Sequence, residues 1–219
     1  MDDLRTRQLG QLSAPGRRPA LLVVDVQRSF GDPEFLGAYG LDEKAAALVE
    51  AAVTTIVRLV DDARERNVPV VWIELASDPA NPWRASSWFR SGDLDAPFGP
   101  DEPCVIGTPG AEWYRLTPAA GEQRVAKRGY SGFLGTDLEK CLRAREIDWV
   151  AVAGLTTDCC VAATATDAFQ LGWPVLVPSD AVAAYDTDLQ ENALAKLALN
   201  VAVLSTAWEL AAMWTEVGR

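Results

Sequence analysis

The 219-residue sequence contains no histidine. A Ser-His-Asp triad and a Cys-His dyad are therefore excluded, because both depend on an imidazole base. Zinc sites that use histidine ligands, such as the HExxH motif, are excluded for the same reason. Any catalysis must use Cys, Lys, Asp, Glu, Tyr or backbone groups.

Basic residues are scarce as well. The chain has 20 Lys and Arg against 31 Asp and Glu, a net charge of −11, whereas nucleic acids and anionic membrane surfaces attract basic faces. No apolar run approaches the roughly 18 residues that cross a bilayer. The polar first 19 residues also lack the apolar stretch of a signal peptide. We therefore expect no nucleic-acid partner, no membrane partner and a cytoplasmic location.

Cysteines are few, and their spacing argues against a structural zinc site. The four are Cys104, Cys141, Cys159 and Cys160, and no pair has the CxxC spacing of a structural metal site. Cys159 and Cys160 are adjacent, where an ordinary disulfide is geometrically strained. Reduced thiols, as in a cytoplasm, are the simplest interpretation.

Apolar runs and helical patterns alternate along the chain. The run 20–27, ALLVVDVQ, is typical of a strand buried on both faces. Further strands are predicted at 68–75, 123–127, 149–154, 173–180 and 200–204, and helices at 41–66, 136–146, 159–171, 188–199 and 205–216. This pattern predicts an α/β fold, a three-layer αβα sandwich around a six-stranded parallel sheet that is Rossmann-like. We expect one domain over residues 20–219, preceded by an N-terminal arm over residues 1–19.

Three strand ends carry reactive side chains, and ligand sites of such sheets lie at the carboxyl ends of the strands. Cys159 and Cys160 fall in the first turn of a helix, where free N–H groups favour a thiolate and can hold an oxyanion. Without histidine, Asp25 could act as the base for Cys160, and Lys127 could keep Asp25 ionised or stabilise the thiolate. Each residue also has a structural alternative. The two thiols could be small packing side chains, Asp25 could form a structural salt bridge, and Lys127 could be an ordinary solvated lysine.

The segment 76–122 is rich in Pro, Gly, Asp, Ser and Trp and shows little periodicity. So long a connection is uncommon unless it is functional, so we predict a covering lid with one short helix. Its part 76–100 could equally form a subunit interface, or serve both purposes. Candidates for substrate contact through stacking or ion pairing, with plain packing as the alternative, are Trp83, Arg84 and Trp88 in this segment and Gln27, Phe30, Tyr130 and Phe133 at strand ends.

Three segments in order resemble the isochorismatase-like cysteine hydrolases. They are VVDVQRSF at 23–30, KRGYSGFLGTDL at 127–138 and AGLTTDCCVAATATDAF at 153–169, of which the third is the most specific. The resemblance covers about residues 20–206. It implies a catalytic triad of Asp25, Lys127 and Cys160, and a homodimer or homotetramer.

The resemblance also distinguishes between the two adjacent thiols. Cys160 corresponds to the family's nucleophile, because Val161 follows it, whereas Cys159 falls on a variable position. A cis peptide is implied between Leu155 and Thr156. It would turn the N–H of Thr156 toward the N–H of Cys160, so that the two form an oxyanion hole.

The implied activity is that of the amidohydrolase branch. We expect a metal-independent cysteine hydrolase, without any cofactor, that cleaves a C–N bond of a small amide, ureido or carbamoyl compound through a thioester. Nicotinamidase members bind a metal through histidines, which this chain lacks. The alternatives are an isochorismatase-type vinyl ether hydrolase, an activity whose enzymes often lack the cysteine, and a non-catalytic small-molecule-binding protein on the same fold.

Overall fold

The computed structural model describes residues 2–96 and 102–218. All strand pairs are parallel, and the main sheet runs in the order β3-β2-β1-β4-β5-β7. The strands are β1 Pro19–Val24, β2 Val70–Leu75, β3 Gln123–Lys127, β4 Trp149–Leu155, β5 Val175–Pro178, β6 Val182–Ala183 and β7 Val203–Ser205. The predicted six-stranded parallel sheet is confirmed. The two-residue β6, which pairs with the end of β4, was not predicted.

Helices cover both faces of this sheet. They are α1 Asp2–Leu12, α2 Arg28–Gly31, α3 Pro33–Leu36, α4 Glu43–Glu65, α5 Arg84–Ser91, α6 Leu138–Ala144, α7 Ala162–Gln170, α8 Thr187–Asn200 and α9 Ala207–Val217. Short 3₁₀ turns lie at Gly37–Tyr39 and Pro109–Ala111, and a wider π turn at Thr157–Val161 leads into α7. Asp42 accepts a hydrogen bond from the N–H of Ala45, so a carboxylate caps α4 as its sequence indicates.

The central strand β1 explains the three layers. Leu21 and Val23 belong to a core cluster with residues of α4 and α9, whereas Leu22 and Val24 belong to a second cluster with residues of α6 and α7. Successive side chains of a strand point to opposite faces, so an unbroken apolar run packs against helices on both sides. The sandwich architecture predicted from this run is therefore confirmed.

The segment predicted as an N-terminal arm contains helix α1. Leu9 and Leu12 pack against the core cluster of α4 and α9. Arg5 pairs with Glu209 at 3.0 Å and donates to the carbonyl of Leu204 at 3.2 Å. With so few apolar residues, α1 lacks a stripe that sequence periodicity could detect, and long-range contacts attach it to the domain.

In its described part, the long segment after β2 contains one short α-helix, α5, as predicted. Residues 97–101, which include the end of the predicted lid or interface 76–100, lie outside the described residues. Isolated bridges join Gln27 to Trp113 and Ser77 to Val105, so this segment folds back over the ends of β1 and β2. Within residues 2–96 and 102–218, no helix has the length and apolarity needed to cross a membrane.

Candidate active site

Asp25 is the first residue beyond β1, and its side chain has no exposed surface. Its φ of 52° lies in the left-handed region, which Asp adopts more readily than most residues. The backbone N–H of Asp25 donates to the carbonyl of Ile73 at 2.8 Å. Pairing with β2 therefore continues to the point where the chain turns and the carboxylate is held inside.

Lys127, the last residue of β3, meets Asp25 across the sheet edge. Its ammonium lies 2.7 Å from Oδ2 of Asp25, and neither side chain has exposed surface. It also donates to the carbonyl of Gly129 at 3.0 Å and to the Sγ of Cys160 at 3.4 Å. The three residues predicted as a triad are thus brought together around one ammonium group.

The pKa shifts of this pair reflect burial and mutual charge. Burial raises the pKa of Asp25 above its ordinary value, and the positive charge of Lys127 opposes the shift without cancelling it. For Lys127, burial favours a lower pKa, but the interactions with Asp25 and with Cys160 outweigh it, and the pKa is raised. Lys127 therefore stays charged, while Asp25 is a stronger proton acceptor than an exposed aspartate.

A glycine at the end of β4 allows the strand to approach β1 closely. Gly154 has a φ of +135°, and a Cβ on it would lie 2.0 Å from the carbonyl oxygen of Val24. The bond between Leu155 and Thr156 that follows is cis, as expected. The chain then enters the π turn that carries Cys160, which is 7% exposed. The thiol therefore follows directly on a strand end packed against the one that carries Asp25.

Gln190 of α8 holds the start of this turn. Its Oε1 accepts hydrogen bonds from the Thr157 hydroxyl at 2.6 Å and from the N–H of Ala184 at 2.8 Å. Its Nε2 donates to the carbonyl of Val182 at 3.1 Å. This buried network ties the turn before Cys160 to β6, and sequence reasoning missed it because Gln190 is about 30 residues away in a helix.

The two thiols shift in opposite directions. The hydrogen bond with Cys159 and burial raise the pKa of Cys160 well above its ordinary value. The same hydrogen bond lowers the pKa of Cys159. Cys160 therefore remains a neutral thiol at neutral pH, and its use as a nucleophile requires a base to remove its proton.

A cavity of about 200 Å³ opens above Cys160. Cys159 and Thr156 line it beside the thiol, and most of the wall comes from the loops after β2 and β3. Of the residues predicted to contact a substrate, Phe30, Trp83 and Tyr130 line the cavity.

The other four residues predicted to contact a substrate do not line the cavity. Gln27 is buried, and its amide bonds to the N–H and carbonyl of Leu75 and to the carbonyl of Ala111, so its polar atoms are engaged within the protein. Phe133 packs in the core on Trp173 with ring centroids 5.9 Å apart.

The remaining two lie on α5 and face outward. Arg84 is exposed and lies 3.8 Å from Asp95. Trp88 is 57% exposed. The abundance of Trp and Arg indicates the correct segment. It does not indicate which side chains point into the cavity, because only one face of the short helix α5 lies against it.

Several wall residues were not predicted from the sequence. Tyr39 and Tyr185 line the cavity with their rings 4.7 Å apart, and the Tyr185 hydroxyl donates to the carbonyl of Phe30 at 2.9 Å. The two tyrosines come from separate loops without a shared motif, so only their position in the fold identifies them. Phe89 and Arg90, which belong to the segment 76–100 that the sequence singles out, also line the cavity from α5.

Metal-binding side chains are not clustered in the described part of the chain. Residues 2–96 and 102–218 contain no group of three or more Cys, Asp or Glu arranged to hold a metal ion. The polar groups that line the cavity are Cys160, the neighbouring thiol and the polar wall residues, whereas Asp25 and Lys127 are fully buried beside Cys160.

Residues 19–209 match the family model of the isochorismatase domain. The chain is 31% identical over 171 residues to ureidoacrylate amidohydrolase RutB of Methylobacterium radiotolerans, covering 74% of this chain and 65%, less than two thirds, of that protein. It is 32% identical over 183 residues to maleamate amidohydrolase of Pseudomonas putida, covering 83% of this chain and 80% of that protein. A cysteine hydrolase structure from Pseudomonas syringae pv. phaseolicola is similar, with a TM-score of 0.75, 27% identity, and coverage of 90% of this chain and 92% of that chain.

Proposed function

The chain belongs to the isochorismatase family, and from this premise we propose that it is a metal-independent cysteine hydrolase of the amidohydrolase branch. It cleaves the C–N bond of a small amide, ureido or carbamoyl compound through a thioester. The names of the two similar amidohydrolases support this substrate class over a vinyl ether. The lack of histidine supports a reaction without a histidine-bound metal.

One observation carries the proposal: a single buried ammonium lies beside both a carboxylate and a thiol. Lys127 Nζ is 2.7 Å from Asp25 Oδ2 and 3.4 Å from Cys160 Sγ. A nucleophile within reach of a base that a third group orients is the arrangement of covalent catalysis. A purely structural ion pair would not need a cavity-lining thiol as its third member.

In the acylation half-reaction, Asp25 accepts the proton of Cys160, and the sulfur attacks the substrate carbonyl. The resulting oxyanion is held by the backbone N–H groups of Thr156 and Cys160. When the intermediate collapses, the C–N bond breaks and Asp25 gives its proton to the leaving nitrogen. The acyl group remains on Cys160 as a thioester.

In the deacylation half-reaction, Asp25 removes a proton from water, which attacks the thioester carbonyl. The C–S bond breaks, the sulfur regains the proton from Asp25, and the carboxylic acid leaves. Lys127 keeps its proton throughout, and its charge opposes the negative charge that moves between Asp25 and the sulfur. The net reaction consumes one water and releases the acid and ammonia or an amine.

Ammonia release from a panel of small amides, ureides and carbamoyl amino acids tests this function. We expect turnover of at least one compound, and loss of about 1,000-fold or more of that activity in Cys160→Ala. The matched control is Cys141→Ala, which changes a half-buried thiol that does not line the cavity. Activity that survives Cys160→Ala would refute the triad, and loss of activity on adding a chelator would refute metal independence.

If no compound is turned over, the reactivity of the thiol distinguishes the remaining alternative. Alkylation of Cys160 by iodoacetamide, located by mass spectrometry, is expected for a nucleophile that Asp25 can deprotonate. An unreactive Cys160 together with no turnover would favour a non-catalytic binding protein.

The exposed aromatic side chains of α5 bear on the predicted subunit interface. Trp88 is 57% and Phe89 77% exposed, and aromatic residues are enriched in interfaces. We propose that the chain forms a homodimer or homotetramer that buries part of this helix. Analytical ultracentrifugation of the purified protein measures the state, and a monomer at micromolar concentration would contradict it.

A further inference from the structure

Cys159 has no part in the hydrolysis proposed for this chain, yet it lies directly beside the nucleophile. Both Cys159 and Cys160 line the same cavity. Their side chains share a hydrogen bond, and a single peptide unit separates their Cα atoms. The two sulfur atoms therefore lie side by side, where a small solute that enters the cavity meets both.

The environments of the two thiols give them different reactivity. Cys159 is half-buried, and its hydrogen bond with Cys160 lowers its pKa. Cys160 is buried, and the same hydrogen bond together with burial raises its pKa. Peroxides oxidise thiolates in preference to neutral thiols. Cys159 is therefore the sulfur that a peroxide oxidises first, and Cys160 is a neighbouring thiol that can react with the oxidised sulfur.

The other two cysteines lack this combination of features. All four cysteines are free thiols. Cys104 is 1% exposed, and burial raises its pKa. Cys141 is half-buried on α6 and does not line the cavity. Oxidation by a small solute should therefore concentrate on the adjacent pair.

We propose that Cys159 and Cys160 are an oxidation site, at which hydrogen peroxide converts the two thiols into a reversible disulfide that blocks the nucleophile. The proposal goes beyond hydrolysis, because it gives Cys159 a role that the hydrolytic reaction does not need. Adjacent Cα atoms are about 3.8 Å apart, closer than the range of about 4.4–6.8 Å that is usual for disulfides. Such strain makes a disulfide easier to reduce, as a reversible modification requires.

Two steps account for the atoms and electrons. The Cys159 thiolate attacks one oxygen of hydrogen peroxide, the O–O bond breaks, and hydroxide leaves Cys159 as a sulfenic acid. The Cys160 sulfur then attacks the sulfenic sulfur, so that an S–S bond forms, the S–O bond breaks, and the hydroxyl leaves as water with the proton of Cys160. In total, the two thiols lose two hydrogens and one peroxide is reduced to two waters.

Mass spectrometry of the reduced protein after treatment with hydrogen peroxide tests the site. Trypsin releases residues 146–196, a peptide with Cys159 and Cys160 as its cysteines and without methionine. We expect this peptide to lose about 2 Da, and to regain that mass with dithiothreitol. In Cys160→Ser, the oxidised Cys159 has no partner, so the peptide should instead gain about 32 Da as the sulfinic acid, which dithiothreitol does not reverse.

Activity gives a second measurement for any compound that is turned over, with each protein compared with its own untreated activity. Peroxide should remove most of the activity of the wild type, and dithiothreitol should then raise the remaining activity about fivefold or more. Cys159→Ser should lose activity about 10-fold more slowly, and dithiothreitol should raise its remaining activity less than about 1.5-fold. The matched control is Cys141→Ser, which should lose and regain activity like the wild type.

A wild-type peptide that gains oxygen instead of losing two hydrogens would overturn the inference. So would a disulfide between chains on a non-reducing gel, or equal recovery of Cys159→Ser and the wild type. The peptide masses are measured without any substrate. The oxidation site can therefore fail while amide hydrolysis stands, and it can be confirmed even if no compound is hydrolysed.

Discussion

The side chains of Asp25 and Lys127 expose no surface, whereas Trp88 and Phe89 on α5 are 57% and 77% exposed. We call Asp25, Lys127 and Cys160 the floor, since Cys160 lines the cavity and Lys127 contacts the other two, and we call residues 83–91 the rim. Asp25 and Lys127 sit at the ends of β1 and β3, which flank β2, and Cys160 sits in the turn after β4; strand pairing and one ion pair fix them. Rim residues belong to a short helix in a long connection. A buried floor tolerates little change, whereas an exposed rim can vary in shape without disturbing the sheet.

This difference predicts that floor substitutions impair both chemistry and folding, while rim substitutions change activity by degrees and according to substrate. Four variants or measurements probe that contrast. They are ordered by the size of the expected effect.

Lys127→Met should have the largest effect. We expect a loss of about 1,000-fold or more in kcat/KM, because the base loses its counter-charge. An unpaired buried charge also costs about 3–5 kcal/mol of unfolding free energy. The destabilisation should be smaller at pH 5 than at pH 8, because the already raised pKa of Asp25 rises further and protonation removes the buried charge.

Urea unfolding at the two pH values and steady-state kinetics measure these effects. Lys140→Met is the matched control, because Lys140 is exposed on α6. It should change unfolding free energy by less than about 0.5 kcal/mol. Equal stability of Lys127→Met and the wild type at pH 8 would mean that the pair does not hold the floor together.

Gln190→Leu should act on the floor from a distance. The substitution leaves the Thr157 hydroxyl and the N–H of Ala184 without their acceptor, which costs about 1–3 kcal/mol for each buried group. Displacement of the turn that carries Cys160 should lower kcat by about 10- to 100-fold. If Gln190 acts by positioning the turn, Gln190→Glu should retain part of the activity, because Glu keeps an acceptor oxygen. An unchanged kcat in folded Gln190→Leu would contradict this role.

The floor and the rim also differ in how well the sequence predicts them. Pattern and the convergence of strand ends in a parallel sheet indicate Asp25, Lys127 and the adjacent thiols Cys159 and Cys160 as candidates, and the family resemblance selects Cys160 between the two thiols. The same position at strand ends predicted substrate contact for Gln27 and Phe133. Instead, the Gln27 amide bonds to backbone groups within the protein and Phe133 packs on Trp173. The direction of a single side chain after a strand depends on local dihedral angles, which the hydrophobic pattern does not specify.

At the rim, the sequence identified the segment but not its inner surface. Trp83 faces the cavity and Trp88 faces outward, although both have the same composition around them. Tyr39 and Tyr185 reach the wall from loops about 145 residues apart, which no local pattern connects. Long-range packing, rather than propensity, selects these residues.

The pH dependence of activity tests the carboxylate of the floor against a carboxylate of the cavity wall, Glu102. Since burial raises the pKa of Asp25, the acid limb of kcat/KM should lie above the value of about 3.9 for an ordinary aspartate. Activity is lost as pH falls through that limb, because the protonated carboxyl cannot accept the thiol proton. In Glu102→Gln, the acid limb should stay within about 0.3 pH units of its position in the wild type. A larger shift would contradict the assignment of this limb to Asp25.

Arg84→Ala should have the smallest effect, although Arg84 was predicted to contact substrate. The side chain is 67% exposed, and its nearest carboxylate, on Asp95, is 3.8 Å away. Exposed pairs of this kind contribute about 0–1 kcal/mol, so the free energy of unfolding should fall by less than about 1 kcal/mol. Because Arg84 does not line the cavity, kcat/KM should change by less than about twofold. A tenfold rise in KM for every amide that the enzyme turns over would show that α5 turns Arg84 toward the substrate during turnover, and the rim would then be a moving lid rather than a fixed wall.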